Sequence, residues 1–131
     1  MTRYLPQPTK VSKPFWDSCK AEAMEIQRCG DCGVYAYYPV FICPECTSRN
    51  LEWTRVSGKG SVYTYTVAER SMFEGVEGAV VVALIELEEG AMMTSNIKTD
   101  DPYGVRVGMQ VKLAYEPVSD DITLPVFEVA S

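Results

Sequence analysis

Apolar residues along the chain change their spacing twice, and each change marks a different kind of element. Phe15, Cys19, Ala23 and Ile26 recur at three- or four-residue intervals, which predicts one amphipathic helix over 13–27. Ser12 stands before it as an N-cap candidate, and Pro14 falls in the first turn, where its missing N–H does no harm. Ahead of the helix, Tyr4, Leu5, Pro6 and Pro8 predict an extended arm over 1–11.

From Ser57 the period becomes two. Ser61 to Val67 alternates as a half-buried strand should, after Lys59 flanked by Gly58 and Gly60. Residues 71–78 read as a loop. Ala79 to Leu87 is a nearly continuous apolar run, the pattern of a strand covered on both faces. Glu88-Glu89-Gly90 predicts a hairpin turn, with Ala91 to Ile97 as the partner strand. Asp100 to Gly104 is a loop, and Gln110 to Pro117 and Leu124 to Val129 complete a set of five strands. Five short strands bent at glycines fit a closed barrel of the oligonucleotide/oligosaccharide-binding (OB) type. Residues 98–108 are too short and turn-rich for the helix usual between its third and fourth strands.

Between these regimes the chemistry changes. Cys29 and Cys32, then Cys43 and Cys46, form two CxxC pairs ten residues apart. Each pair places two thiolates on one tight turn, and the link lets the two turns face each other around a tetrahedral ion. Gly30 and Gly33 offer positive-φ geometry, and Pro44 pre-sets the second turn. Four soft ligands in a closed site favour one structural zinc ion. A rubredoxin-like iron centre or a small iron–sulfur cluster would use the same thiolates. Two disulfides would suit a secreted protein, but the N-terminus carries no signal-peptide pattern, and reduced thiols predict a cytoplasmic location. Val34 to Ile42, dense in tyrosine and β-branched residues, suits two short strands of this zinc ribbon. Leu51 to Val56 leads out of it, with Trp53 as an inter-module plug or a partner contact. The division is then an arm and helix over 1–27, a zinc ribbon over 28–55 and an OB barrel over 56–131.

Composition narrows the function classes. The 131 residues are 47% hydrophobic, enough for a real core, and no apolar run approaches the roughly 20 residues of a membrane span. Net charge is −6, divided as +1 over residues 1–55 and −7 over 56–131. Single-stranded nucleic acid, an alternative ligand for OB barrels and zinc ribbons, needs several cationic contacts that such a barrel lacks. The chain has no histidine, so Ser-His-Asp and Cys-His catalysis within this polypeptide is excluded. Cys19, set among apolar neighbours without a base, reads as a small buried hydrophobe rather than a nucleophile. The pairs Asp100/Asp101 and Asp120/Asp121 read as solvated turns, and the glycines around Lys59 lack the spacing of a phosphate loop. No catalytic residue is identified.

Pro14-Phe15-Trp16, Gln27-Arg28-Cys29, Cys32-Gly33, Tyr38-Pro39, Cys43-Pro44-Glu45-Cys46, Trp53, Val56-Ser57-Gly58-Lys59-Gly60-Ser61-Val62-Tyr63 and Val107-Gly108-Met109 occur in one order. This order resembles a family of zinc-ribbon plus OB-fold proteins, long of unknown function, found beside thiolases, hydroxymethylglutaryl-CoA synthases and acyl-CoA hydratases. The likeness runs from about residue 12 to 129. It implies a non-catalytic accessory subunit of a thiolase-like or hydratase-like partner, with acyl-CoA contact as a further implied property. Carried over by position, Cys29, Cys32, Cys43 and Cys46 are the metal ligands, and Phe15 and Trp16 are candidate contact residues.

Overall fold

The helix stops earlier than its apolar spacing predicts. In the computed structural model, which describes residues 6–69 and 79–130, α1 spans Lys13–Lys20. The N–H groups of Ala23 and Glu22 donate to the carbonyls of Ser18 and Cys19 at 2.9 and 3.0 Å. Glu22 takes a left-handed φ of 56°. This is a Schellman termination with glutamate in the position glycine usually holds. Two side chains then hold the departing strand: Ser18 Oγ accepts the Glu25 N–H, and Tyr115 Oη accepts the Met24 N–H. Ser12 does not cap the helix. A turn precedes it, leaving its backbone already helical, and its Oγ accepts the Thr9 N–H at 2.8 Å.

The residues expected to finish the helix instead form β1 (Glu25–Cys29), the centre of a three-stranded antiparallel sheet. On one side lies β2 (Tyr35–Ala36), on the other β3 (Leu51–Arg55). Gln27 faces Ala36 in one register and Trp53 in the other. Only two residues of the 34–42 stretch pair as a strand, where two strands were expected.

The remaining five strands are β4 (Lys59–Ala68), β5 (Val80–Leu87), β6 (Met92–Lys98), β7 (Gln110–Pro117) and β8 (Thr123–Val129). They close as a barrel in the order β4-β5-β6-β8-β7, with β7 returning to β4 and a short parallel contact joining β6 to β8. One 3-10 turn at Pro102–Gly104 stands where OB barrels usually carry a helix. The β5 run is not covered on both faces: Val81, Ala83, Ile85 and Leu87 point inward, while Val80, Val82 and Leu84 are half-buried and Glu86 is exposed. Barrel closure places the second face against partial solvent, so an apolar run need not mean burial on two sides. The pairing of β4 with β5 slips between Val62 and Thr64, a bulge that turns Tyr63 outward. Gly60 must lack a side chain, because a Cβ there would lie 2.7 Å from Ile85 Cγ2 and 2.9 Å from the Glu86 carbonyl.

One apolar cluster joins these parts. Phe15 and Cys19 of the helix and Met24 and Ile26 of the ribbon pack with Val62, Ile85, Met93, Val111 and Phe127 of the barrel. The expected arm residues Tyr4 and Leu5 and the 71–78 loop lie outside the described residues. Among the described residues no helix is long and apolar enough to cross a membrane.

Candidate metal centre

The two CxxC turns repeat one backbone design. The Cys29 N–H donates to the Val34 carbonyl at 2.9 Å, and the Cys43 N–H donates to the Ser48 carbonyl at 2.8 Å, each five residues on. The Cys29 and Cys43 carbonyls accept from Gly33 and Thr47, each four residues on, both at 2.9 Å. Those two residues share the left-handed region, with φ of 82° and 62°. Glycine supplies this freely; the β-branched threonine does so under strain. Gly30 does not take positive φ. A Cβ there would meet the Asn50 side-chain amide, which would have to swing aside. A side-chain hydrogen bond from Ser48 Oγ to Asp31 ties the turns together.

These turns bring all four sulfurs within 4.8 Å of one another. Cys29 and Cys46 Sγ are 3.5 Å apart, and Cys32 and Cys43 Sγ are 3.6 Å apart. Four thiolates bound at about 2.3 Å to a tetrahedral zinc ion stand about 3.8 Å from each other, so the donor set and spacing fit such an ion. Amide donors face the sulfurs, from Cys32 to Cys29 Sγ and from Glu45 to Cys43 Sγ, both at 3.4 Å. The thiols divide in acidity. The Cys32 N–H holds the Cys29 thiol down at about 6, assisted by the Asp31 N–H. At Cys46 the Ser48 N–H favours the thiolate, but the neighbouring Cys29 sulfur and burial outweigh it and push the group up to about 12. Four sulfurs packed this closely cannot all be anionic without a cation among them. The cluster could therefore hold a metal ion. Cys29 and Cys43 are buried, and Cys32 and Cys46 reach the surface.

The aromatic candidates part company. Phe15 is 3% exposed and sits in the core, edge-on to Trp16 at 5.1 Å and to Tyr37 at 5.7 Å. Trp16 is half-buried and lines a groove of about 230 Å³ with Pro6, Val11, Tyr37, Tyr38 and Pro39. Trp53 lies in β3, half-buried against the shared core. Sequence reading missed a more exposed group in the link between the two cysteine turns: Tyr38 is 77% exposed, Phe41 72% and Ile42 44%. Gln27, itself buried, holds this link. Its Nε2 donates to the Val40 carbonyl at 2.9 Å, and its Oε1 accepts the Val40 N–H at 2.7 Å. The signal was present as an apolar run without a period between two ligand pairs. Cys19 is fully buried, and desolvation pushes its thiol up to about 12, far from a reactive thiolate.

A cysteine cluster consistent with a zinc ribbon, carried on a three-stranded sheet and joined to a five-stranded OB barrel, defines the class of this protein. Residues 53–116 match the family model described as ChsH2, C-terminal OB-fold domain. The chain is 38% identical over 96 residues to a DUF35 domain-containing scaffold protein of Methanocaldococcus jannaschii, covering 72% of this chain and 68% of that one. It belongs to the DUF35 family. It is also 35% identical over 117 residues to a probable enoyl-CoA hydratase alpha subunit of Thermomonospora curvata, covering 88% of this chain. That alignment spans only 37% of the relative's length. The solved structure titled Ltp2-ChsH2(DUF35) aldolase superposes with a TM-score of 0.88 at 31% identity, over 97% of this chain and 100% of that one.

Proposed function

We propose that this chain is a non-catalytic accessory subunit that docks onto an acyl-CoA-processing enzyme subunit of the hydratase or aldolase kind. One structural zinc ion on Cys29, Cys32, Cys43 and Cys46 stiffens the ribbon that makes the contact. The carrying observation is the link between the cysteine turns, which presents Tyr38, Phe41 and Ile42 to solvent while Gln27 clamps its backbone at Val40. Exposed aromatic residues on a backbone fixed in advance lose little entropy on binding, as interface anchors require. The partner's chemistry is inferred from the relatives, whose names speak of scaffold proteins, a hydratase subunit and an aldolase. A thiolase-like partner and direct contact with acyl-CoA are further members of the same reading. The absence of histidine and the suppressed Cys19 thiol support a role without turnover.

The test is co-expression with acyl-CoA hydratase and aldolase subunits from the same source, followed by complex mass and partner activity. A stable complex should form, and Tyr38→Ser with Phe41→Ser should weaken it at least about tenfold, as losing hot-spot anchors does, with metal content unchanged. Equal binding by the double variant, or turnover of acyl-CoA by this chain alone, would remove the proposal.

A further inference from the structure

The groove of about 230 Å³ beside the link is walled by ring donors with nothing to donate to. Trp16 comes from α1, and Tyr37 and Tyr38 follow β2 in the chain. Phe15 of the core meets both Trp16 and Tyr37 edge-on, at interplanar angles of 81°, so one packed side chain fixes two of the three rings. The Trp16 indole N–H and the Tyr37 and Tyr38 hydroxyls meet no acceptor among the described residues. Burial pushes the Tyr37 phenol up to about 12, so it keeps its proton. The hydroxyls of Thr9 and Ser12, also in the lining, are engaged with each other: Thr9 Oγ1 donates to Ser12 Oγ at 3.0 Å. Among the described residues no charged side chain lines this groove. A neighbouring groove of about 760 Å³ shares Trp16 and balances Lys13 and Lys20 against Asp17 and Asp121. Pro6 and Gln7 line both grooves, so the chain's own proline-bearing arm already lies against this indole.

We infer that this groove receives an extended, proline-containing segment of the partner enzyme subunit in the polyproline II conformation. A run of prolines offers carbonyls and no backbone N–H, which complements rings whose N–H and O–H groups lack acceptors. Aromatic-lined grooves take such segments well, because the segment is stiff before binding and its carbonyls stay free for ring donors. Charge matches too: an uncharged lining suits a neutral segment. A segment of other composition brings backbone N–H groups that ring donors cannot satisfy. An apolar tail brings no acceptor and would cover the Trp16 and Tyr37 donors unmatched, at a cost. The volume lies below the roughly 300 Å³ at which small-molecule pockets begin, which suits a few side chains of a longer chain. Through Tyr38 the groove runs on into the exposed link. The segment's origin in the partner rests on the docking role proposed above; the chemistry of the groove does not.

Titration of the full chain, with metal content measured before and after, tests it in two arms. In the first, an end-capped oligoproline peptide and a glycine-serine peptide of equal length are added while the indole N–H resonances are followed, Trp16→Phe assigning the signal. Oligoproline should shift the Trp16 signal saturably, and the glycine-serine peptide should bind at least about tenfold more weakly, lacking both rings and stiffness. Tyr37→Phe keeps the ring and deletes one donor, so it should weaken oligoproline about threefold to tenfold with the unfolding temperature preserved. Absence of oligoproline binding, equal binding of the two peptides, or unchanged binding by Tyr37→Phe combined with Trp16→Phe would overturn the inference. In the second arm, oligoproline should compete with the hydratase or aldolase subunit for this chain, and Tyr37→Phe should weaken that complex by the same factor. Peptide binding without competition would overturn the assignment to the partner, as would a dimer of this chain that the peptide dissociates, since the occupant would then be a second copy's Pro6–Pro8 arm. The two readings fail separately: an intact complex, weakened by Phe41→Ser but indifferent to the peptide, strikes this inference alone, whereas no complex at all strikes the docking role.

Discussion

The ribbon and the barrel solve the same problem, holding short strands together, by different means. The barrel closes five strands on themselves, so each strand has two neighbours and the interior fills with Val62, Ile85, Met93, Val111 and Phe127. The ribbon has three strands, one of only two residues, and its own apolar residues are lent to the barrel's core. What remains to hold residues 30–50 is the sulfur cluster, two matched turns, and the hydrogen bonds of Gln27 and Ser48. A closed sheet draws its stability from buried area. A ribbon this small draws it from a few strong point contacts.

The sharpest way to break that contrast is to remove the ion proposed for the four sulfurs. Chelation, or Cys43→Ser, should unfold the ribbon, since structural zinc sites contribute on the order of 10 kcal/mol to the fold they hold. Amide exchange should then show lost protection over residues 29–50 and retained protection in β5 and β7. Simultaneous loss in both would mean that the barrel depends on the ribbon. The converse change, Phe127→Ala in the barrel, should cost about 3–5 kcal/mol and lower the denaturation midpoint, while the metal stays bound until the chain unfolds.

Alkaline titration probes the seam between the two regions. The Cys19 thiol, ordinarily 9.0, is held at about 12 in the folded chain by burial. Above 9 the unfolded chain releases this proton and the folded chain does not. Stability contributed by the neutral thiol is therefore complete below about 9 and falls as pH rises toward 12, by a few kcal/mol in order of magnitude. Stability curves of the parent and Cys19→Ala should converge over that window; parallel curves would place the thiol in contact with water.

Gln27→Ala should cost about 1–3 kcal/mol, because it leaves the Val40 N–H and carbonyl without partners. Its distinctive mark is faster amide exchange at Val40 with the four-sulfur site intact. The smallest expected effect is a gain. Thr47→Gly should raise stability by about 1 kcal/mol, since the second turn places a β-branched residue where the first uses Gly33. No gain on thermal unfolding would show that the threonine hydroxyl, which donates to the Cys46 carbonyl at 2.6 Å, offsets the strain.

What the chain declares locally, it declares well. The CxxC spacing brings four sulfurs together because each turn is encoded within six residues. The β4 strand follows an alternation, and β5 to β8 follow runs bounded by turn signals, neither of which needs knowledge of their neighbours. Contacts distant in sequence decided the rest. Ala23 and Ile26 satisfy a helical period by coincidence: the helix closes in a turn at Glu22, and Tyr115, some ninety positions away, receives the Met24 amide of the strand that leaves it. Among the rings near the metal turns, Phe15 went inward and Tyr38 outward, which composition cannot assign because it depends on how the barrel meets the helix. Lys59 and Lys112 oppose each other only once the barrel closes. Local turns and periods are properties of neighbouring residues, so a sequence carries them openly, whereas end points, exposure and charge juxtaposition belong to surfaces that exist only after the strands have met.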